Sequence, residues 1–265
     1  MHGRCRAREG AARIGLPPVR IGSSLTSHPT KTPRAVSRRR GLHLKLSDSD
    51  RALIFGEPWF SSLPAVLQGR IVADSELRTY RKGEVILREG EPGTGMGVVL
   101  EGQVHLTRRL DSGADTLVDV GHAGIWFGSY GALTGGGASI GGLLAATPVR
   151  ALFLPLAAVE RIVDDEPRHY RLLAGILMQR YARMFRYLAE AKGLAPEDRL
   201  RTRLLELANT REDAAPGNGS VDIAVSQLEL AKLVGLSRQT VSALLARLEA
   251  RGLIEIGFRS IRVLV

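Results

Sequence analysis

The chain holds a single cysteine, Cys5, in its first few residues. One cysteine excludes an internal disulfide framework, and it leaves the body without a cysteine-ligated zinc or iron–sulfur centre. A reducing cytoplasm fits that usage. Long apolar runs are missing as well. The most apolar stretch, Ile140 to Val159, is interrupted by Arg150 and two prolines, so no transmembrane helix and no membrane partner is expected. The first residues lack the continuous apolar segment of a secretory signal. No P-loop, no metal-binding cluster and no nucleophile–base spacing occurs, so the chain does not read as an enzyme and no cofactor is expected.

Acidic residues are nearly missing from residues 1–47, which hold eleven Lys and Arg against Glu9 alone. That segment accounts for the whole net charge of +10, because residues 48–265 hold 26 basic and 26 acidic side chains. Bulk charge is therefore no argument for nucleic-acid binding. The tail, with Arg38-Arg39-Arg40 among scattered Gly, Pro, Ser and Thr, has no sustained periodicity and is expected to be disordered. A basic arm touching DNA, a targeting segment and sequence upstream of a misplaced start codon all remain open for it.

The body carries a strong motif at Gln227 to Val241, QLELAKLVGLSRQTV. A small residue, Ala231, stands at its fifth position, Gly235 at its ninth and a β-branched Val241 at its fifteenth. A helix-turn-helix needs that spacing: the small residue lets two helices approach, and the glycine turns where a positive φ is costly for any residue with a Cβ. Ser226 and Glu229 form a capping box for the first helix, and Ser237 is a good N-cap for the second. Val241, Leu244, Leu245 and Leu248 recur on one face. The opposite face presents Arg238, Gln239, Ser242, Ala243 and Ala246, where Arg and Gln suit guanine and adenine edges. Ser237, Arg238, Gln239, Thr240 and Ser242 are accordingly the candidate DNA-binding residues. Residues 253–256 and 260–265 read as two strands joined by Gly257-Phe258-Arg259, which makes the motif a winged helix with Arg259 at the wing tip, placed for a phosphate.

Upstream, glycine-punctuated short strands run from about Arg81 to Leu154, the pattern of an antiparallel roll or jelly roll. Helical periodicity dominates residues 168–192. Tyr170, Leu173, Leu177, Tyr181, Met184, Leu188 and Ala191 step by three or four as a coiled-coil-like seam, while Leu172, Ile176 and Phe185 lie off it. Two apolar faces suit a helix that covers the roll on one side and meets a second copy on the other. Gly193-Leu194-Ala195-Pro196 breaks it, a further helix runs to Leu207, and residues 211–220 read as a loop.

In this order the chain resembles the CRP/FNR family of bacterial transcription regulators over about residues 55–265. The resemblance rests on Lys82 to Gly93 (KGEVILREGEPG), Glu101-Gly102-Gln103-Val104, Glu197-Asp198-Arg199-Leu200 and Ser237 to Ser242. It implies an α+β chain: a cyclic-nucleotide-binding-like β-roll sensor over 48–165, a dimerisation helix over 166–192 and a winged helix-turn-helix over 193–265. It also implies a homodimer on an inverted-repeat operator in double-stranded DNA, with RNA polymerase as a further candidate partner. Cyclic-nucleotide-binding members carry a Gly-Glu pair and, about nine residues later, an Arg-Ser or Arg-Thr pair. Here Ser129 stands for the glutamate and Ala138 for the arginine, so a bound phosphate would lack its cationic partner. Weak or no binding of cyclic AMP is expected. Trp126, Gly128, Ser129, Tyr130, Ala138 and Ser139 remain candidates to line a pocket for another small effector, and His105, His122 and His169 are considered as haem ligands. Gln239 and Ala243 replace a glutamate and an arginine frequent in the family, which changes the base preference expected of this helix. The rival reading is a small-molecule-sensing module whose winged helix meets protein instead of DNA.

Overall fold

The computed structural model describes residues 46–209, 220–258 and 260–264. The tail reading for residues 1–45, most of the 211–220 loop and Arg259 lie outside the described residues. The described chain opens with three short helices, α1 (Asp48–Gly56), α2 (Pro58–Ser61) and α3 (Ala65–Ala73). Local chemistry starts them: Ser47 and Asp50 form a capping box on α1, and Glu57 accepts from the Phe60 amide while Pro58 occupies the first turn of α2.

Then come β1 (Glu76–Tyr80), β2 (Val85–Leu87), β3 (Gly95–Glu101), β4 (Val104–Arg109), β5 (Asp115–Gly121), β6 (Trp126–Phe127), α4 (Ser129–Leu133), β7 (Gly142–Ala145) and β8 (Val149–Pro155). They form two four-stranded antiparallel sheets, ordered β1-β8-β3-β6 and β2-β7-β4-β5. The expected antiparallel roll is therefore present. β3 shows how period-two alternation builds two cores from one strand. Val99 joins Val104, Phe127, Leu143, Ala151 and Phe153 between the sheets. Met96, Val98 and Leu100 face the other way, onto a core shared with Ile54, Phe60, Leu67 and Ile71 of the opening helices.

α5 (Leu156–Asp165) and the 25-residue α6 (His169–Gly193) follow. Leu173 and Ile176 of α6 are fully or almost fully buried in that same core. This corrects the expected seam: Leu173 belongs to the face that covers the roll, and Leu177 packs at its edge. The exposed apolar stripe comprises Met178, Tyr181, Met184, Phe185 and Leu188, with Tyr181 65% and Phe185 62% exposed and their rings stacked at 6.3 Å. Phe185, expected off the seam, lies on this exposed stripe. Tyr170 is partly exposed, and its hydroxyl donates to the Leu133 carbonyl.

After the break, α7 (Pro196–Asn209) leads to β9 (Ser220–Ile223), α8 (Gln227–Val234), α9 (Arg238–Ala250), β10 (Ile254–Gly257) and β11 (Ser260–Leu264). The wing is a three-stranded antiparallel sheet, β10-β11-β9. β9 begins at Ser220, where sequence reading ended a loop. Its Val221 and Ile223 are buried beneath Leu204, Leu207, Val241 and Leu245.

Candidate nucleic-acid interface and effector cassette

Gly235 caps α8 at φ 67° and ψ 36°, with open space where a Cβ would sit, so the turn needs glycine for its backbone conformation and not for room. The Ser226–Glu229 capping box fixes the other end of α8. Ala231 and Val234 of α8 meet Val241, Leu244, Leu245 and Leu248 of α9 in one buried cluster. Burial of that stripe turns Arg238, Gln239, Ser242, Ala243 and Ala246 outward, and together with Gln227 they line an open groove of about 660 Å³. Ser237 and Thr240 are engaged at the helix start: the Ser237 hydroxyl accepts from the Thr240 amide at 3.1 Å and lies 2.8 Å from its hydroxyl. Among the described residues Arg238 has no acidic partner, whereas Arg262 of β11 is held by Asp222 and Glu255, and Arg251 by Glu197. Arg238 is thus free to meet a ligand. Sequence reasoning missed Gln227 as a groove residue; its position in the first turn of α8 was the available signal.

A second hollow, of about 450 Å³, lies between the wing and the start of α8, and Arg238 and Gln227 line both. Phe258, on the β10–β11 turn, stands at its rim 94% exposed.

In the β-roll, the cassette is a tight backbone structure. Gly128 has φ 73°, and a Cβ there would meet the Gly95 carbonyl at 2.4 Å. A Cβ on Gly93 would meet the Gly131 Cα at 2.5 Å, so the Glu91–Gly93 turn and α4 touch backbone to backbone. Ser129 is fully buried, its hydroxyl without a partner among the described residues. Ala138 is exposed and bridges Pro92, Ser139 donates to the Gly141 carbonyl at 2.8 Å, and Tyr130 is partly exposed. Trp126 is not a pocket residue, which corrects the sequence reading: its ring packs in the core against Trp59 at 5.0 Å and Phe60 at 5.5 Å. Phe127 likewise stacks on Phe153. From α6, Arg180 reaches over to donate to the Trp126 carbonyl, and burial pushes its guanidinium below the usual range.

The three histidines are dispersed. His169 contacts the Ile162 carbonyl through Nδ1 at 3.2 Å, His122 is buried, and His105 of β4 lies 3.8 Å from Glu229 of α8. Burial lowers the His105 pKa, and Glu229 opposes the shift. Among the described residues no group of three or more His, Cys, Asp or Glu could hold a metal, and no helix is long and apolar enough to cross a membrane.

His105–Glu229 is one of several links between the roll and the winged helix. Asp119 of β5 takes Arg183 of α6 at 3.0 Å and Arg203 of α7 on its other oxygen. Arg203 lies over the Tyr187 ring at 4.3 Å and also pairs with Glu206 at 3.1 Å. Leu117 and Val120, on the same strand, complete the winged-helix core. Sequence reading placed none of these roles.

Comparison with known proteins gives two matching family models: a cyclic nucleotide-binding domain over residues 77–166 and a Crp-like helix-turn-helix domain over 198–264. The transcriptional regulator SdrP of Thermus thermophilus is 30% identical over 191 residues, 71% of this chain and 90% of that protein. A CRP-like cAMP-activated global transcriptional regulator of Mycobacterium tuberculosis is 28% identical over 184 residues, 69% of this chain and 82% of that protein. A solved CRP/FNR-family transcriptional regulator from Thermus thermophilus superposes with a TM-score of 0.57 at 30% identity, covering 72% of this chain and 94% of that one.

Proposed function

Since the chain belongs to the CRP/FNR family of transcription regulators, we propose that it acts as a homodimer on an inverted-repeat DNA site, reads bases through Arg238 and Gln239, and does not answer to cyclic AMP. The observation that carries the reading is the division of α9. Its apolar stripe is locked into the winged-helix core, which leaves Arg238, Gln239 and Ser242 exposed along one groove with an unpaired cation at its head. Arg in such a position takes guanine O6 and N7 bidentately, and Gln takes adenine N6 and N7. The exposed stripe from Met178 to Leu188 supports self-association, since an isolated helix face that apolar is costly in water. Two copies joined there would set two α9 helices about 34 Å apart, one turn of DNA.

Ser129 and Ala138 support the effector half of the reading. The relative from Mycobacterium tuberculosis is named as cAMP-activated. Here the position of the ribose-binding glutamate holds a buried serine, and that of the phosphate-binding arginine holds an alanine. The division of labour proposed is a β-roll sensor over 48–165, a dimerisation helix over 166–192 and a DNA reader over 193–265.

Selection of binding sites from randomised duplex DNA tests the proposal. Wild type should return inverted repeats, with an affinity that falls steeply as salt rises. Arg238→Ala should cost about 1–3 kcal/mol on the selected site and relax one base pair per half-site. Salt-insensitive or absent duplex binding would instead favour a winged helix that meets protein.

A further inference from the structure

Phe258 is the most exposed large hydrophobic residue among those described. It is carried on the tip of the wing, where no other described residue covers it. Its hollow is continuous with the recognition groove through Gln227 and Arg238, and among the described residues no carboxylate lines either one. Around Phe258 the hollow offers apolar walls from Leu228, Ile256 and Ile261 and a cationic donor from Arg238, while the Ser226 amide and hydroxyl are taken up by Glu229 in the capping box. A sugar–phosphate strand has this mixed character: a negative edge and an apolar sugar face. An acidic wall, which would repel it, is missing.

We propose that Phe258 is a minor-groove wedge. With α9 in the major groove, the intervening strand lies in the hollow beside the wing, and the Phe258 ring enters the minor groove that flanks each half-site. This rests on α9 being the base-reading helix. Minor-groove walls are sugar edges, and apolar side chains inserted there widen or kink the duplex. The guanine 2-amino group projects into that groove and would be left without a partner beneath a phenyl ring, whereas A·T pairs carry no such donor. Phe258 therefore confers a preference at flanking base pairs that α9 never touches.

The test uses the full chain and duplexes with one selected core and three kinds of flank: G·C, A·T, and inosine·C, which lacks the 2-amino group but keeps the major-groove face of G·C. Wild type should bind A·T and inosine·C flanks alike, and both about tenfold tighter than G·C flanks, equivalent to about 1.4 kcal/mol. Phe258→Ala should bind the best duplex about tenfold more weakly, lose the flank preference, and keep the salt slope, because no phosphate contact is removed. Phe258→Trp should keep the preference. Arg238→Ala should relax one base pair of each core half-site yet retain the discrimination of the flanks. A Phe258→Ala protein that still ranks the flanks as wild type does, whatever its affinity, overturns the wedge and leaves a protein surface as the partner of the ring. Wild type with no duplex binding overturns the reading of α9 itself, a different result. The side chain touches almost nothing in the free protein, so an unchanged melting temperature is expected for the alanine variant.

Discussion

Arg203 on α7 and Asp119 on β5 form an ion pair across 84 residues of sequence, with their side chains only 7% and 14% exposed. Because Asp119 also holds Arg183 of α6, one carboxylate ties together the roll, the long helix and the first helix of the winged domain. Removing it leaves the buried Arg203 with Glu206 as its remaining carboxylate partner and deprives the half-buried Arg183 of its ion pair, and weakening the compensation of a buried charge costs more than the pair itself contributes.

Asp119→Ala should therefore destabilise the protein by about 2–4 kcal/mol and uncouple its halves. Both tryptophans, Trp59 and Trp126, lie in the roll core, so fluorescence follows that half alone while far-UV circular dichroism follows both. In urea, wild type should show coincident transitions, and the variant should lose ellipticity before fluorescence changes. Coincident curves with an unshifted midpoint would contradict the linking role.

Met184→Glu or Phe185→Glu should convert a wild-type dimer to a monomer at micromolar concentration, as read by sedimentation velocity, because each places a charge on the exposed stripe. Leu173→Ala should behave differently. It opens a cavity in the roll core, costing about 2–5 kcal/mol without a direct effect on association. A monomeric wild type would remove the basis of the dimer.

Calorimetry with cyclic AMP should show no binding at micromolar concentrations. Ala138→Arg, at an exposed site, should change stability by no more than about 0.5 kcal/mol. Ser129→Glu should destabilise the chain, because the position is fully buried and a carboxylate there would be stranded. Restoring the two family residues is thus not expected to restore the site. Micromolar or tighter affinity in wild type would refute the effector reading.

Acidification should weaken the fold through His105. Burial holds its pKa below the ordinary 6.5, with Glu229 of α8 as the opposing charge. Below about pH 6.5 the unfolded chain takes up a proton that the folded chain resists, so stability is fully present above that pH and falls as pH drops toward the folded value. His105→Gln should flatten this part of the melting-temperature profile between about pH 7.5 and 5.5. Superimposable profiles for the two proteins would exclude the contribution.

The winged helix was legible in the sequence because its determinants are local. Gly235 with its positive φ, the Ser226–Glu229 box and the Val241–Leu248 stripe each act within a few residues. Glycine-marked turns made the roll legible in the same way. Periodicity failed at Leu173, since a helical repeat says which residues share a face and not which face meets the chain's own core. Trp126 was misjudged because an aromatic ring suits a pocket and a core equally; Trp59 and Phe60, more than sixty residues away, decided the matter. Asp119 carried no signal at all, as its partners come from α6 and α7.

Leu117 and Val120 of β5 belong to the hydrophobic cluster of the winged helix and not to that of the roll. The visible joint at Leu194–Pro196 is consequently the wrong place to cut. A chimera that grafts this reader onto a foreign sensor would leave a bare apolar seat on α8 unless the donor strand brought its own equivalents. Exchange of sensors between such regulators is then limited less by the helix that connects the modules than by one strand that serves both.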